Sequence, residues 1–507
     1  MSSKRCPLRC SLRCDANHQL SRRDFLRGST VLVAGSSLLG GCRSLWQAPA
    51  VTEPMRACGP ASKYVPTIKA AFVRRKEDYG MWWPGAVYDG RSARRKYTAQ
   101  LIETAKSLGV KLNLRPEPIY SGTEADAWLA EAKAAQVDGL IVMVHDRQQH
   151  SWPTAYKAVE TTIPTVIFSP VGTSFTTNTE SLADRVGCVV YSTDDFSYVA
   201  YGMKMLKAGA KLRHSRCIVL MGDKRYDQSL TNLGITLRHV PAKAYLDEYH
   251  SIPVTDEVLA MTEQYLRRAR RRIGASRQDV VNGIKGYLAC RNIIEREKAD
   301  AITMDCLGTI GRINSKVSLP CISWSRMLDD GIPAACEADY GAVASHIIVQ
   351  YLFDRPGFQQ DPVADTANDA IIGAHCTCAT RLNGFDQPPE PFDLVHHHAN
   401  RDATARTVWR KGQRITSIDV WPNGDDSPRA GTSGEDSDTK VLISAGTVLG
   451  NVSVPPAGGC VVSVRVKFDG DQNVLSFPGF HQVFFYGDYK RQVVEFCQLF
   501  GLKARVV

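Results

Sequence analysis

No stretch of the 507-residue chain reaches 18 consecutive apolar residues, and beyond its first 30 residues neither sign of charge is in large excess. The first lack predicts no integral membrane domain, because a spanning helix needs about 20 apolar residues to cross a ~30 Å hydrocarbon layer. The second argues against a nucleic-acid partner. The formal net charge is +10, but residues 1–30 hold Lys4, Arg5, Arg9, Arg13, Arg22, Arg23 and Arg27 against Asp15 and Asp24. Half the excess therefore lies in that leader, and the body lacks the basic face that nucleic acid requires. A legible disulfide framework is lacking too. There are 15 cysteines, but no spacing fixes their pairing, and Cys376-Thr377-Cys378 is a lone C-x-C without the second pair a zinc site would want. Most others stand in apolar, strand-like runs ("VGCVVY", "SRCIVLM", "GGCVVSV"), where cysteine acts as a small buried hydrophobe. What remains is ordinary globular material, 44% hydrophobic and 22% charged. Single cores rarely grow past about 250 residues, so this length suits two to four domains.

The leader reads "SRRDFLRGSTVLVAGSSLLGGC". Arg22 and Arg23, followed by Asp24, Phe25 and Leu26, resemble a twin-arginine export signal. The apolar run behind them ends at Leu39-Gly40-Gly41-Cys42, which resembles a bacterial lipobox and would attach lipid to Cys42. Cleavage after Ala48-Pro49-Ala50 is the alternative. Either route predicts a protein working outside the cytoplasm, periplasmic or anchored to a membrane by lipid.

Residues 43–63 are a proline-containing linker. From Tyr64 strand-like and helix-like segments alternate. "TIKAAFV" (67–73) predicts a strand. "RRKYTAQLIETAKSLGV" (94–110) predicts a helix with Leu101, Ile102, Ala105 and Leu108 on one face and Gly109 as its stop. "DGLIVMVHD" (138–146) and "IPTVIFSPV" (163–171) read as continuous apolar strands of a sheet covered on both faces. A second block opens near "VGCVVYSTDD" (187–196). It continues through "SRCIVLMGD", a helix over 276–298, and strands at "ADAITMDC" (299–306) and "LPCISWS" (319–325). Before that helix, "YLRRARRRIG" places five arginines within six residues, which on a helix would ring its solvated surface or meet an anionic group or subunit. After "RPGFQQDP" come short alternating runs with turn residues, as in an antiparallel β domain, and a 423–438 loop rich in Asp, Gly and Ser reads as disordered or mobile. The last 20 residues predict a helix stopped by Gly501 and a final strand. The expected class is α/β, with a leader over 1–42, a linker over 43–63, open α/β domains over 64–180 and 181–355, and an antiparallel, mostly β domain over 356–507.

The polar residues of interest cluster late in the chain. Asp339 stands where a helix over 340–353 should begin and can cap its free N–H groups. Glu337 needs a separate explanation, and it would share a face with Asp339 only if the segment were extended. Asp305 ends an apolar strand, at the edge where open α/β sheets place ligands. The three acids converge if strand 299–306 neighbours segment 332–339. His375 in "GAHCTC", the run His396-His397-His398 and His481 in "FPGFHQVFFY" supply imidazoles. Carboxylates with one imidazole suit Mn²⁺ or Mg²⁺ better than a thiolate-seeking ion. Such a site can polarise a carbonyl while flanking acids move a proton through an ene-diolate, the chemistry of an aldose–ketose isomerase.

Three segments, in order, resemble the L-fucose isomerase and L-arabinose isomerase superfamily. They are "DAITMDCLG" followed by "GIPAACEADYGAVASHIIVQYLFDRPGFQQD" (with its Glu-x-Asp and Pro-x-Phe-x-x-Asp), then "AIIGAHCTCATRL", then "FPGFHQVFFYGDYKRQVVEFCQLFGLKARVV". The resemblance covers roughly residues 260–507. It implies two Rossmann-like open α/β domains followed by the β domain, a homo-oligomer with sites at subunit borders, and a small free sugar as substrate. It implies Asp339 as a metal ligand that also transfers protons, His481 as the C-terminal metal-ligating histidine, and His375 and Cys306 against the sugar. The family's earlier catalytic glutamate has no clear match, so Asp305 and Glu337 stand as nearest candidates, with Glu337 also a third ligand for Mn²⁺ or another divalent cation such as Mg²⁺. Export departs from the family pattern. An exported sugar-binding lipoprotein and a catalytically inactive relative are the alternative readings.

Overall fold

A computed structural model of the chain describes residues 56–77, 89–310, 317–397, 401–422, 439–453 and 460–507. Arg22, Arg23, Cys42, His398 and the 423–438 loop lie outside the described residues. Among the described residues no helix is long and apolar enough to cross a membrane. The molecule is a mixed α/β protein with two mainly parallel sheets and a closed six-stranded antiparallel barrel.

The first sheet joins β1 (Thr67–Val73), β2 (Lys111–Leu114), β3 (Gly139–Val144), β4 (Thr165–Ser169) and β5 (Cys188–Ser192), all parallel, in the order 2-1-3-4-5. Every residue of β3 and β4 is buried, which is why neither alternates in polarity. The run at 187–196, grouped by sequence with the second block, instead closes this first sheet against β4. The helix Gly90–Leu108 buries Tyr97, Leu101 and Ala105 and ends on left-handed Gly109. Ile102, expected on its apolar face, is 55% exposed. Tyr97 takes its place, because residues four apart stack on one face.

The second sheet contains β6 (Arg216–Leu220), β7 (Tyr226–Leu230) and β8 (Ile235–Val240); β9 (Arg271–Ile273) lies elsewhere; β10 (Ala301–Met304) and β11 (Ala334–Cys336) complete it. Its order is 11-10-6-8-7, with β7 alone antiparallel. The run 319–325 is not a strand. Cys321–Asp329 is a helix buried on every side, packed against the helix Arg277–Glu297. An element with no solvated face has no polar stripe, so period alone cannot tell it from a buried strand. Gly283 and Gly286 let the two helices approach, since a Cβ there would lie 3.0 Å from Ile322 and 3.1 Å from Ser323.

The barrel follows: β12 (Phe358–Asp365), β13 (Ala370–His375), then, outside it, β14 (Phe392–His396) and β15 (Ala403–Thr407), then β16 (Arg414–Trp421), β17 (Lys440–Asn451), β18 (Val462–Phe468), β19 (Gln482–Tyr486) and β20 (Lys503–Val506). The closed ring runs 16-19-12-13-18-17 and back to 16, with β20 added parallel to β17. Closure leaves these six strands mutually paired around the ring. β9, β14 and β15 form a separate three-stranded sheet. The arginine run therefore does not ring a helix. Its helix ends at Arg268, and Arg271 begins β9.

The helix Tyr340–Phe353 joins the parallel sheet to the barrel. All its residues but Tyr351 are buried, and it packs on β10, β11, β16 and β19. Gly341 allows this contact: a Cβ at that position would lie 2.2 Å from the Val420 carbonyl oxygen. Gly341→Ala must push the helix start off β16, at a cost of about 2–3 kcal/mol. A lowered urea midpoint with an unchanged slope is the expected measurement; an unchanged midpoint would contradict this packing.

Candidate metal centre

β10 and β11 are neighbours, with Met304 opposite Cys336, so Asp305 and Glu337 leave the same edge of the sheet. That edge is where parallel sheets present functional residues. The chain then turns sharply. Glu337 and Ala338 both have left-handed backbones, φ 63° and 53°. The segment is thus not extended, so the condition under which Glu337 and Asp339 would share a face by strand alternation is not met. The turn is held by hydrogen bonds from the Ala338 N–H to the Met304 carbonyl and from the Asp339 N–H to the Cys336 carbonyl. Left-handed non-glycine residues cost free energy and persist where the surroundings impose them.

Asp339 caps the following helix, its Oδ1 accepting from the Ala342 N–H at 2.8 Å. Its Oδ2 takes a second bond, from His481 Nδ1 at 2.9 Å. The pairing of Asp339 with His481, 142 residues apart, is therefore present, but with both Asp339 oxygens engaged the acid orients the imidazole. Metal-binding histidines characteristically have such a carboxylate behind them.

The other nitrogen of His481 faces two more acids. Nε2 lies 3.4 Å from Glu337 Oε2 and 3.1 Å from Asp361 Oδ1. Asp361 arrives through strand register. Gln360 pairs with Gln482 between β12 and β19, so the next positions are Asp361 and His481. On its other edge Asp361 is opposite Ala374, which brings His375 alongside. Gln359, on the same face of β12 as Asp361, accepts from the Cys336 N–H and so ties the barrel to β11. His375 Nε2 lies 3.8 Å from Glu337 Oε1.

His481 is itself left-handed, φ 57°. Asp419 Oδ2 holds the preceding turn by accepting from the Phe480 N–H and from Trp421 Nε1. Gly479 is needed there, at φ 95°, because a Cβ would lie 2.8 Å from that Asp419 oxygen. The "PGFH" motif is thus a turn built to aim one imidazole.

Ligand atoms of Glu337, His375 and His481 all lie within 4.8 Å of one another, close enough for this group to hold a metal ion. The fit is supported by polarity. His481 Nε2 and Asp361 Oδ1 are buried and form no aligned hydrogen bond, so two ligand-type atoms meet without satisfying each other. His481 and His375 are almost fully buried, whereas Glu337 and Asp361 are 32% and 30% exposed, which leaves the acid side open to a ligand. Burial pushes the His481 imidazole toward neutrality, but the hydrogen-bonded Asp339 carboxylate and the nearby Asp361 and Glu337 carboxylates outweigh that and raise its pKa to about 11. Asp339→Asn keeps the helix cap, since Asn caps as well as Asp. Removing one carboxylate charge should lower the His481 pKa by about 1–3 pH units, read from its imidazole NMR signals. An unmoved pKa would deny Asp339 its positioning role.

Of the other sequence candidates, Asp305 serves the next turn, where its Oδ1 accepts from the Gly308 N–H. Cys306 lies beside Cys336, whose thiol is raised by their hydrogen bond and by burial. His397 Nε2 contacts Cys376 Sγ at 3.2 Å, and His396 pairs with Asp279 at 3.4 Å. Asp361 is the residue that sequence reasoning passed over, although it is the acid of the "PGFQQD" segment. All eleven described cysteines are free thiols, with Cys188 and Cys217 buried as expected and Cys460 only partly so.

The site is thus a carboxylate–imidazole cluster, built where one end of a barrel meets the carboxyl edge of a parallel sheet. No family model and no curated protein matches the chain. Solved structures similar to it include one titled "XylFII molecule", 15% identical with a TM-score of 0.17 over 48% of this chain and 79% of that one. A mutant XylFII–LytSN complex is 16% identical, with a TM-score of 0.17 over 47% and 78%. Likeness at this level carries no argument about fold or function.

Proposed function

We propose that this protein is a metal-dependent aldose–ketose isomerase acting on a free sugar. The observation that carries the reading is the convergence of Glu337, Asp361, His375 and His481, with Asp339 behind His481. Glu337, Asp361 and His481 would hold the cation, with His375 beside them. When bound, a divalent ion such as Mn²⁺ would polarise the carbonyl and neighbouring hydroxyl oxygens of the sugar. The chain's own residues do the rest. Glu337, partly exposed on its strained turn, removes the proton from C2 and returns it to C1. Asp361 accepts and returns the hydroxyl proton, so that charge does not accumulate on the ene-diolate. Asp339, buried and doubly hydrogen-bonded, takes no part in proton transfer, which changes the role that the family resemblance implied for it.

On this reading the two parallel sheets correspond to two Rossmann-like domains before the barrel, and the chain works as a homo-oligomer, exported with Cys42 lipidated. Purified protein loaded with Mn²⁺ should convert at least one of a panel of aldoses to its ketose, and chelation should stop it. Sugar binding without turnover would identify a binding protein instead. Absence of both turnover and bound metal, by elemental analysis, would end the isomerase reading.

A further inference from the structure

Cys376 and Cys460 face each other at the end of the barrel, their sulfurs 3.8 Å apart. We propose that they are a redox modification site, oxidised to a disulfide by thiol–disulfide exchange with a small disulfide. The strand register supports this. His375 at the end of β13 is opposite Val462 at the start of β18, so Cys376 and Cys460 lie just beyond the last paired residues of adjacent antiparallel strands. Continued one step, that register sets Cys376 opposite Val461 with Cys460 one residue further along, and the side chains bring the two sulfurs to 3.8 Å. Closing 3.8 Å to a bond of about 2.05 Å requires side-chain rotation and a small shift of one chain end. The Cys376 carbonyl accepts from the Thr404 hydroxyl and the Cys460 carbonyl from the Ser463 hydroxyl, while the Cys376 Sγ also meets His397. The movement falls to the Cys460 side chain, the more exposed of the two.

The two thiols have unequal access, as an exchange pair needs. Cys460 is partly exposed and Cys376 buried. The Cys460 thiolate attacks the incoming disulfide, forming a mixed disulfide and expelling one thiolate. Cys376 then gives up its proton, with His397 Nε2 at 3.2 Å placed to take it, and its sulfur attacks the Cys460 sulfur. The second thiolate leaves. Two protein thiols are oxidised, one small disulfide is reduced to two thiols, and the two protons end on them. The bond would clasp β13 to β18 one residue beyond His375, across 84 residues of sequence. Such a long loop constrains the unfolded chain strongly, so the oxidised form should be the more stable.

The test uses the full chain and oxidised glutathione as probe. Peptide mapping should find a Cys376–Cys460 cross-link carrying no glutathione, formed at the cost of two free thiols and reversed by dithiothreitol. The oxidised protein should melt several degrees higher, and amide exchange at His375–Thr377 should slow. Cys460→Ser should abolish the cross-link while keeping native circular dichroism. A lasting glutathione adduct on Cys460, a bridge through Cys306, Cys321 or Cys336, or full retention of both thiols would overturn the inference. None of these readouts requires bound metal, so failure here is distinct from failure of the isomerase reading.

Discussion

His481→Ala should lower Mn²⁺ affinity at least about 100-fold, since even outer residues behind a ligating histidine are worth 10–100-fold. Titration calorimetry of the metal-free protein measures this. The same substitution should destabilise the metal-free fold by about 3–5 kcal/mol, the cost of breaking a buried pair and leaving one charge uncompensated. Asp339 decides the size of that loss. Its side chain is 5% exposed, and without the imidazole its Oδ2 loses the His481 hydrogen bond. Glu337 and Asp361, about a third exposed, fall back on water. The sign of the pH effect follows. The stabilisation by the charged imidazole is fully present below its unfolded pKa of about 6.5 and is lost as pH rises through the folded value of about 11, so the gap between parent and variant should close toward alkaline pH. Equal metal affinity in variant and parent would remove His481 from the site.

The second large effect lies away from that site. Asp393 of β14 is 1% exposed and takes bidentate hydrogen bonds from Arg270 and from Arg271, with a further bond from Arg406. Arg271 and Arg406 are its cross-strand partners on β9 and β15. Asp393→Ala would leave three guanidiniums facing one another. They are 47%, 59% and 28% exposed and can be rehydrated, so the loss should sit near the lower end for a broken buried pair, about 3 kcal/mol. Burial alone would raise the Asp393 pKa, but the three arginines pull it well below the ordinary carboxylate range. Its stabilisation is therefore complete above the unfolded pKa of about 3.9 and is lost as pH falls below that toward the folded value. Urea titrations at pH 7 and pH 3 should show a large gap between parent and variant at pH 7 and a narrower one at pH 3. A gap independent of pH would show that packing, not charge, holds the three strands.

The arginine run shows why part of this was legible and part was not. Five cations in six residues announce a charged feature, but Asp393 lies more than 120 residues later, and no local pattern pairs it with them. Most elements followed from local signals. The cap at Asp339 and the left-handed stops at Gly109 and Gly501 are settled by backbone chemistry within one turn. The helix at 321–329 misled because its complete burial erases the stripe that marks a helix. Asp339 and Asp361 show the same division within the site. Both stand in recognisable motifs, yet which one faces His481 Nε2 depends on the turn at Glu337 and on the β12–β19 register.

The sequence alone determined where most strands and helices form, because hydrophobic period, caps and glycine stops act over a few residues. It also determined that acids and imidazoles of metal-binding type lie late in the chain. Only the tertiary structure decided that Glu337 from a parallel sheet, and Asp361, His375 and His481 from a barrel, meet within a few ångströms. It also decided that Asp339 orients His481 while the more exposed Asp361 faces the open side. Those outcomes depend on strand register and on two left-handed turns. The turns are held by hydrogen bonds to Met304 and Asp419, and the β12–β19 register joins segments more than a hundred residues apart, none of which leaves a trace in local composition.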